Sequence, residues 1–178
     1  MLEPTPAQTV GPFFHNALPT NGGAQLVPPG RPNLVRLHGT VYDGAGSPVP
    51  DALVEIRQAD RSGIVPQLAG SLHARTAFTG WGRAATDEDG RYEFTTEEPG
   101  AVADSAAFFA VAVFARGLLD RLFTRAYLPD ARDGLLAQLP AERAATLLTV
   151  REVDGSLRFD IRLQGEQETV FLEHRSAR

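Results

Sequence analysis

The stretch Phe108-Phe109-Ala110-Val111-Ala112-Val113-Phe114 is the strongest fold signal in this sequence. It is a continuous apolar run without a single polar residue, which is the pattern of a strand buried on both faces. Even when extended to residues 106–115 it is too short to cross a bilayer as a helix. The run therefore predicts a central β-strand of a folded domain.

Further strand patterns separated by turn residues lie on both sides of this run. Val35, Leu37 and Val41 alternate with polar residues and lead into the turn Asp43-Gly44-Ala45-Gly46. The predicted strands are 34–42, 52–56, 91–96, 108–114, 121–127, 146–153, 156–163 and 168–172, with Asp154-Gly155 as a tight hairpin turn. Many short strands joined by turns predict an all-β fold, an antiparallel β-sandwich.

Helical patterns are scarce, and residues 130–145 are the best candidate. Asp133 is placed to cap a first short helix, and Pro140 to start a second. The apolar face of the first would be Leu135, Leu136 and Leu139. We therefore expect one or two short helices beside the sandwich.

Residues 1–33 are rich in proline, which removes amide donors and fixes φ. We predict an extended N-terminal arm that packs on a partner subunit, followed by a sandwich domain at 34–178. The alternative is a disordered tail, although Val10, Phe13, Phe14 and Leu18 could anchor the arm to a surface. Residues 57–85 read as a long loop, either functional or a plain surface connection.

Composition excludes several classes of protein. With no cysteine and no lysine, the chain has no disulfide, no thiol nucleophile and no Schiff-base chemistry. The net charge of −5, without a basic stripe, argues against nucleic acid as a partner. No signal peptide or membrane span is visible, so we expect a cytoplasmic protein that binds no membrane.

No common enzyme motif appears in the sequence. The four histidines, His15, His38, His73 and His174, lack the spacing of a metal site, and a lone histidine is more often structural. Tyr42 and Tyr92 flank turns and read as packing residues with a tethered hydroxyl.

Three segments carry a more specific signal: Gln8-Thr9-Val10-Gly11-Pro12-Phe13, Phe114-Ala115-Arg116-Gly117 and Arg158-Phe159-Asp160-Ile161-Arg162-Leu163-Gln164-Gly165-Glu166. With them, the chain from about residue 4 to 172 resembles the α subunits of the protocatechuate 3,4-dioxygenases, within the intradiol ring-cleavage family. The resemblance implies an (αβ)n assembly that cleaves 3,4-dihydroxybenzoate with O2 to 3-carboxy-cis,cis-muconate, in the β-ketoadipate pathway of aromatic catabolism. It also implies a non-heme Fe(3+) cofactor bound by the homologous β subunit.

The positions that match the iron ligands of this family hold apolar residues. The family signature ends on a ligand tyrosine two residues after its last glycine, where this chain has Val65. The second tyrosine follows a Pro-Gly-x pattern, where this chain has Val102. The ligand histidines alternate on a strand, where this chain has Phe108 and Ala110. None of these side chains can donate an electron pair, so we expect this chain to ligate no metal.

The resemblance also assigns residues of this chain to the pocket of the partner subunit. Thr9, Gly11, Pro12 and Phe13 would line that pocket, and Arg116 would favour a carboxylate and developing negative charge. The family often has tyrosine where Phe13 stands, so the role of that hydroxyl is lost or moved here. The alternative for Arg116 is an ordinary salt bridge at a strand end.

Two other interpretations of the chain stay open at this point. It could be a non-catalytic β-sandwich binding module of the transthyretin-like or carbohydrate-binding kind, which the fold pattern and the missing ligands allow. It could also be a stand-alone intradiol dioxygenase for catechol or hydroxyquinol, against which the four apolar positions argue.

Overall fold

The computed structural model describes residues 8–67 and 77–173, which form nine strands and three short helices. The strands are β1 (Val35–Tyr42), β2 (Leu53–Arg57), β3 (Trp81–Ala85), β4 (Arg91–Thr96), β5 (Phe108–Phe114), β6 (Leu122–Tyr127), β7 (Val150–Arg151), β8 (Leu157–Arg158) and β9 (Ile161–Arg162). The helices are α1 (Phe14–Ala17), α2 (Gly134–Ala137) and α3 (Ala141–Ala145).

The strands form two sheets. In sheet I the order is β4-β1-β8-β7, and β9 pairs with the far end of β1. In sheet II the order is β3-β2-β5-β6, and every pair is antiparallel. The predicted all-β sandwich is confirmed, although β1 runs parallel to both β8 and β9.

Alternate residues of the long strands fill the space between the sheets. Leu37, Val41 and Phe94 from sheet I pack with Phe109 and Val111 from sheet II, and all five are buried. Tyr92 closes one part of this core, because its hydroxyl donates a hydrogen bond to the Phe159 carbonyl at 2.5 Å. The period-two pattern of the sequence thus identifies the inner faces of the strands correctly.

The prediction that β5 is buried on both faces is wrong. Phe109, Val111 and Val113 are buried in the core, whereas Phe108 and Ala110 on the opposite face are only half-buried. A hydrophobic run predicts apolar surroundings but does not say whether the chain itself supplies them on both sides. The outer face of β5 is therefore an apolar surface on this chain.

The predicted loop at 57–85 contains a strand, which is a second correction. Strand β3 has the weakly strand-forming sequence Trp-Gly-Arg-Ala-Ala, and its pairing with β2 along its whole length is what makes it extended. Part of this segment, 68–76 with His73, lies outside the described residues, as do residues 1–7 and His174.

The C-terminal third is less regular than predicted. Only Val150–Arg151 is strand within 146–153, and 156–163 is divided into β8 and β9. The break falls at Asp160, whose carboxylate accepts a hydrogen bond from the Thr40 amide at 3.0 Å. No strand forms at 168–172, where single hydrogen bonds such as that from the Leu172 amide to the Phe123 carbonyl hold the chain.

The predicted helix signals and hairpin turn are confirmed. Asp133 caps α2 by accepting a hydrogen bond from the Leu135 amide at 2.7 Å, and Pro140 is the N-cap of α3. Gly155 adopts a φ of 84° in the turn between β7 and β8, a conformation that favours glycine.

The described part of the arm is not wholly extended. Residues 14–17 form the single turn of α1, between Pro12 and Pro19, so the prediction of an extended arm is wrong for these four residues. Further along, Leu26 is fully buried in the core and its amide donates a hydrogen bond to the Thr95 carbonyl at 2.9 Å. The segment around Leu26 is thus tied to the chain's own sandwich.

Candidate functional site

The arm meets the end of β5 at Gly117. The hydroxyl of Thr9 accepts a hydrogen bond from the Gly117 amide at 2.9 Å. Gly117 has a φ of 86°, so the chain turns sharply just after β5. This contact joins two segments 108 residues apart and places Thr9 next to Arg116, two of the predicted site residues.

Arg116 lies at the surface and forms an ion pair with Asp51. The Asp51 side chain is 10% exposed, whereas that of Arg116 is 59% exposed, so the guanidinium keeps a large accessible area. Within this chain the strand-end salt bridge is therefore formed. The arrangement fixes the base of the guanidinium and leaves much of it open to a neighbouring molecule.

The other predicted arm residues point away from the core. Gly11 and Pro12 are exposed, and Phe13 is 74% exposed although its neighbour Phe14 is buried. Leu119, two residues beyond Gly117, is also exposed. An exposed phenylalanine beside an anchored hydroxyl and a guanidinium has the composition of an interface rather than of an ordinary solvent face.

The four positions matched to iron ligands fall into two groups. Phe108 and Ala110 lie on the outer face of β5. Val65 and Val102 lie in two loops that contact each other, since a Cβ on Gly63 would be 2.1 Å from the Ala101 carbonyl oxygen. All four side chains are hydrocarbon, so these positions do not fit a metal ion.

The described residues also contain no other cluster of three or more histidine, aspartate or glutamate side chains that could hold a metal. His38 instead lies 3.2 Å from the Ser156 hydroxyl, measured from Nε2, and 3.5 Å from the Glu152 carboxylate. It is a side chain in the charged network of sheet I.

A buried carboxylate holds the two contacting loops together. The Glu97 side chain is 1% exposed, and its Oε2 atom lies 3.2 Å from Arg31 and 3.7 Å from Arg61. Gln58 donates to the Glu97 carbonyl at 2.8 Å and accepts from the Thr96 hydroxyl at 2.7 Å. Sequence reasoning missed the buried carboxylate of Glu97, because the segment Glu97-Glu98-Pro99-Gly100 has the composition of an exposed turn.

Two buried tyrosines are perturbed by their surroundings. Burial, with the nearby Asp160 carboxylate as a smaller cause, raises the pKa of Tyr92 well above its ordinary value. Burial also raises the pKa of Tyr127, and the hydrogen bond and charge of Arg125 partly oppose this. Both phenols are therefore neutral packing groups at physiological pH.

A cavity of about 650 Å³ opens on the outer face of sheet II, over Ala110. Phe108 and Phe123 line it, and Arg57 and Arg125 flank Ala110 on the adjacent strands. Neither arginine stood out in the sequence, because a single arginine on a strand is normally a solvated side chain. Only the strand register brings the two together.

Comparison with known proteins gives a consistent result. Residues 10–116 match a family model described as "Dioxygenase". The chain is 38% identical over 194 residues to the protocatechuate 3,4-dioxygenase alpha chain of Burkholderia cepacia, covering 97% of this chain and 98% of that one. It is also 38% identical over 99 residues to the beta chain of the same enzyme from that organism, covering 53% of this chain and 40% of the relative.

A solved structure has the same fold. The dioxygenase domain of a dioxygenase and carbohydrate-binding protein fusion from Streptomyces sp. SirexAA-E superimposes with a TM-score of 0.60 at 25% identity, covering 92% of this chain and 99% of that one. No helix within the described residues has the length and apolar character needed to cross a membrane.

Proposed function

Because this chain belongs to the dioxygenase family, we propose that it is the α subunit of a protocatechuate 3,4-dioxygenase. In that assembly it serves the O2-dependent intradiol cleavage of 3,4-dihydroxybenzoate to 3-carboxy-cis,cis-muconate. The observation that carries the proposal is the similarity to a protocatechuate 3,4-dioxygenase alpha chain over 97% of the sequence. A transthyretin-like binding module would share the sandwich but not this relationship.

The catalytic iron in this proposal belongs to a homologous β subunit. Val65, Val102, Phe108 and Ala110 offer no donor atom, so this chain does not fit the non-heme Fe(3+) that intradiol dioxygenases use. The similarity of this chain to both an alpha and a beta chain of one enzyme supports a pair of related subunits. We place the assembly in the cytoplasm, a reducing compartment with which a chain without cysteine is compatible.

This chain contributes its arm and Arg116 to the lining of the partner's pocket. The hydrogen bond between Thr9 and Gly117 keeps the arm beside Arg116. Gly11, Pro12 and Phe13 are exposed next to it and are free to pack on a partner. The substrate is a carboxylate anion, and a guanidinium whose base is fixed by Asp51 favours that charge.

The test is reconstitution of the full-length chain with its β subunit, followed by Arg116→Ala. Loss of one charge-assisted contact of about 1.5–3 kcal/mol lowers kcat/KM about ten- to hundredfold. Arg116→Lys restores part of this, because an ammonium lacks the planar fork. Iron content of the complex stays unchanged, since the metal is held by the other subunit.

Arg91→Ala is the matched control, because Arg91 is also an exposed arginine paired with an aspartate, Asp89. It should leave kcat/KM unaltered. If Arg116→Ala lowers the stability of the complex but not kcat/KM, Arg116 is only a structural partner of Asp51. If the purified chain alone binds about one iron per chain, the assignment of the metal to the β subunit is wrong.

Deletion of residues 1–13 tests the arm separately. The sandwich should still fold, because Phe14 and Leu26, which are buried, lie beyond the deletion. Ring cleavage by the reconstituted enzyme should fall, since Thr9 and the exposed segment up to Phe13 are removed. Full activity would mean that the arm does not form part of the pocket.

A further inference from the structure

We propose that the cavity over Ala110 is a binding site for a small aromatic carboxylate, separate from the iron-bearing pocket of the partner. The site lies entirely on this chain. No bond is made or broken in it.

The strand register places four side chains in one row across sheet II. Trp81 pairs with Arg57, Arg57 with Ala110, and Ala110 with Arg125. Residues paired in this way project to the same face of the sheet. Adjacent strands are about 4.8 Å apart, so the two arginine Cα atoms are about 10 Å apart with an alanine between them.

The alanines create the hollow. Ala110 and Ala112 raise only a methyl group each above the sheet, whereas Phe108, Phe123 and Trp81 around them are large. The resulting volume of about 650 Å³ lies within the ~300–1,000 Å³ typical of small-molecule sites. Aromatic walls around a flat floor favour a planar ring, through offset or edge-to-face contacts.

The charge of the cavity selects an anion. Among residues 8–67 and 77–173, neither Arg57 nor Arg125 is paired with a carboxylate. Of the acids that line the cavity, Glu55 is already bound to Arg83, and Glu173 is exposed at the rim. With Glu55 paired to Arg83, the two guanidiniums and the Glu173 carboxylate leave a net charge of +1, which one ligand carboxylate would balance.

One of the two arginines is held in place by the fold. Arg125 lies over the Phe108 ring, with its guanidinium carbon 4.3 Å from the ring centroid, and donates to the Tyr127 hydroxyl at 2.9 Å. These contacts use one edge and one face of the guanidinium and leave other N–H groups for a ligand. A donor fixed in this way loses little conformational entropy on binding.

The experiment is a titration of the full-length chain, as it purifies, with 4-fluorobenzoate followed by ¹⁹F NMR. We expect saturable binding. Arg57→Gln should weaken it about ten- to hundredfold, because one charge-assisted contact is lost. Ala110→Leu should abolish it by filling the hollow. Arg91→Gln, which removes an exposed arginine elsewhere, should bind the probe as the unaltered chain does.

Two further probes distinguish the contribution of the carboxylate charge from that of the aromatic ring. The neutral 4-fluorobenzamide should bind at least tenfold more weakly than the acid, and inorganic phosphate should compete poorly because it lacks the ring. The proposal is overturned if 4-fluorobenzoate does not bind, or if Arg57→Gln binds it as tightly as the unaltered chain. It is equally overturned if phosphate competes as well as benzoate, since the site would then be an anion site without aromatic selectivity.

Discussion

The two outer faces of the sandwich neutralise their charges differently. The ion pairs of sheet I include Arg36 with Glu93 and Asp154, Arg158 with Glu152 and Asp160, Arg91 with Asp89, and Arg151 with Glu98. On sheet II, Arg57 and Arg125 have no carboxylate partner among the described residues, and they flank an apolar hollow. Both faces carry arginines, but among the described residues of sheet II only Arg83, which pairs with Glu55, has an acidic partner.

This difference indicates where function lies. Exposed ion pairs contribute little to stability, and a face covered with them is well adapted to water. An unpaired guanidinium beside an aromatic wall gains more from an anion or a partner than from solvent. At the end of β5 the situation differs, because Arg116 is paired with Asp51, although its side chain stays 59% exposed and Leu119, three residues further on, is exposed as well. We therefore propose that sheet I is the structural layer and that sheet II with the arm carries the binding groups.

The largest expected effect tests the inner side of sheet I. A Cβ on Gly39 would lie 1.9 Å from the Phe159 carbonyl oxygen, so Gly39→Ala must displace backbone. We expect a loss of about 3 kcal/mol or more in the free energy of unfolding, measured by urea denaturation. Gly134→Ala is the control, because nothing lies within 4 Å of its Cβ. Equal stability of the two variants would contradict the tight contact between β1 and the β8–β9 segment.

The next effect is a loss of stability at alkaline pH. With no lysine or cysteine, tyrosine is the only side chain here whose ordinary pKa lies near 10. The folded-state pKa of Tyr92 is raised above that value, mainly by burial. Below pH 10 the phenol is neutral in both states and its contribution is intact. Above pH 10 the unfolded chain loses the proton first, so stability falls by up to about 1.4 kcal/mol per pH unit.

The measurement is urea denaturation between pH 8 and about pH 11.5. Tyr92→Phe should be less stable at neutral pH, because the hydrogen bond to the Phe159 carbonyl is lost, but its stability should fall less steeply with pH. An unchanged slope would show that Tyr92 ionises as readily in the folded chain as in the unfolded one. The effect would then have to come from Tyr127, whose pKa burial also raises.

Local patterns predicted the inner layers of this fold well. The period-two alternation located β1, β4 and β6, and the caps at Asp133 and Pro140 follow from side-chain and backbone chemistry that acts within a few residues. Local patterns failed where the conformation of a strand or its burial depends on a segment distant in the sequence. Strand β3 is extended because β2 pairs with it. The outer face of β5 is covered unevenly, because Phe108 packs against the cluster of Tyr127, Leu136 and Leu147 whereas Ala110 lines the cavity.

The candidate site was predictable only through family resemblance. The four apolar positions could be named from motif spacing, but their division between two loops and the face of β5 depends on the fold. The pairing of Asp51 with Arg116 and the row of Arg57, Ala110 and Arg125 join residues far apart in the chain. Strand register creates both, and a single sequence does not determine which strands are neighbours.

The smallest expected effect on the free energy of unfolding comes from replacing one arginine on each outer face. Arg36→Gln removes the ion pairs with Glu93 and Asp154, and should lower the free energy of unfolding by about 0.2–1 kcal/mol at low salt. In 1 M salt this difference should disappear, because surface charges are screened. Arg57→Gln removes a cation with no acidic partner among the described residues, so the free energy of unfolding should stay constant or rise slightly. Adding 1 M salt should either leave this difference unchanged or remove the slight gain.

Acid pH gives a second readout of the same comparison. Hydrogen bonds from Ser156, with a smaller contribution from Arg36, lower the pKa of Asp154. A carboxyl with a lowered folded-state pKa stabilises the fold above its unfolded pKa, and this contribution is lost as the pH falls through the folded value. Ser156→Ala should therefore reduce the acid dependence of stability more than Arg36→Gln, and Arg57→Gln should leave it unaltered. If Arg57→Gln proves as destabilising and as salt-sensitive as Arg36→Gln, Arg57 has an acidic partner in solution, and the two faces are not different in kind.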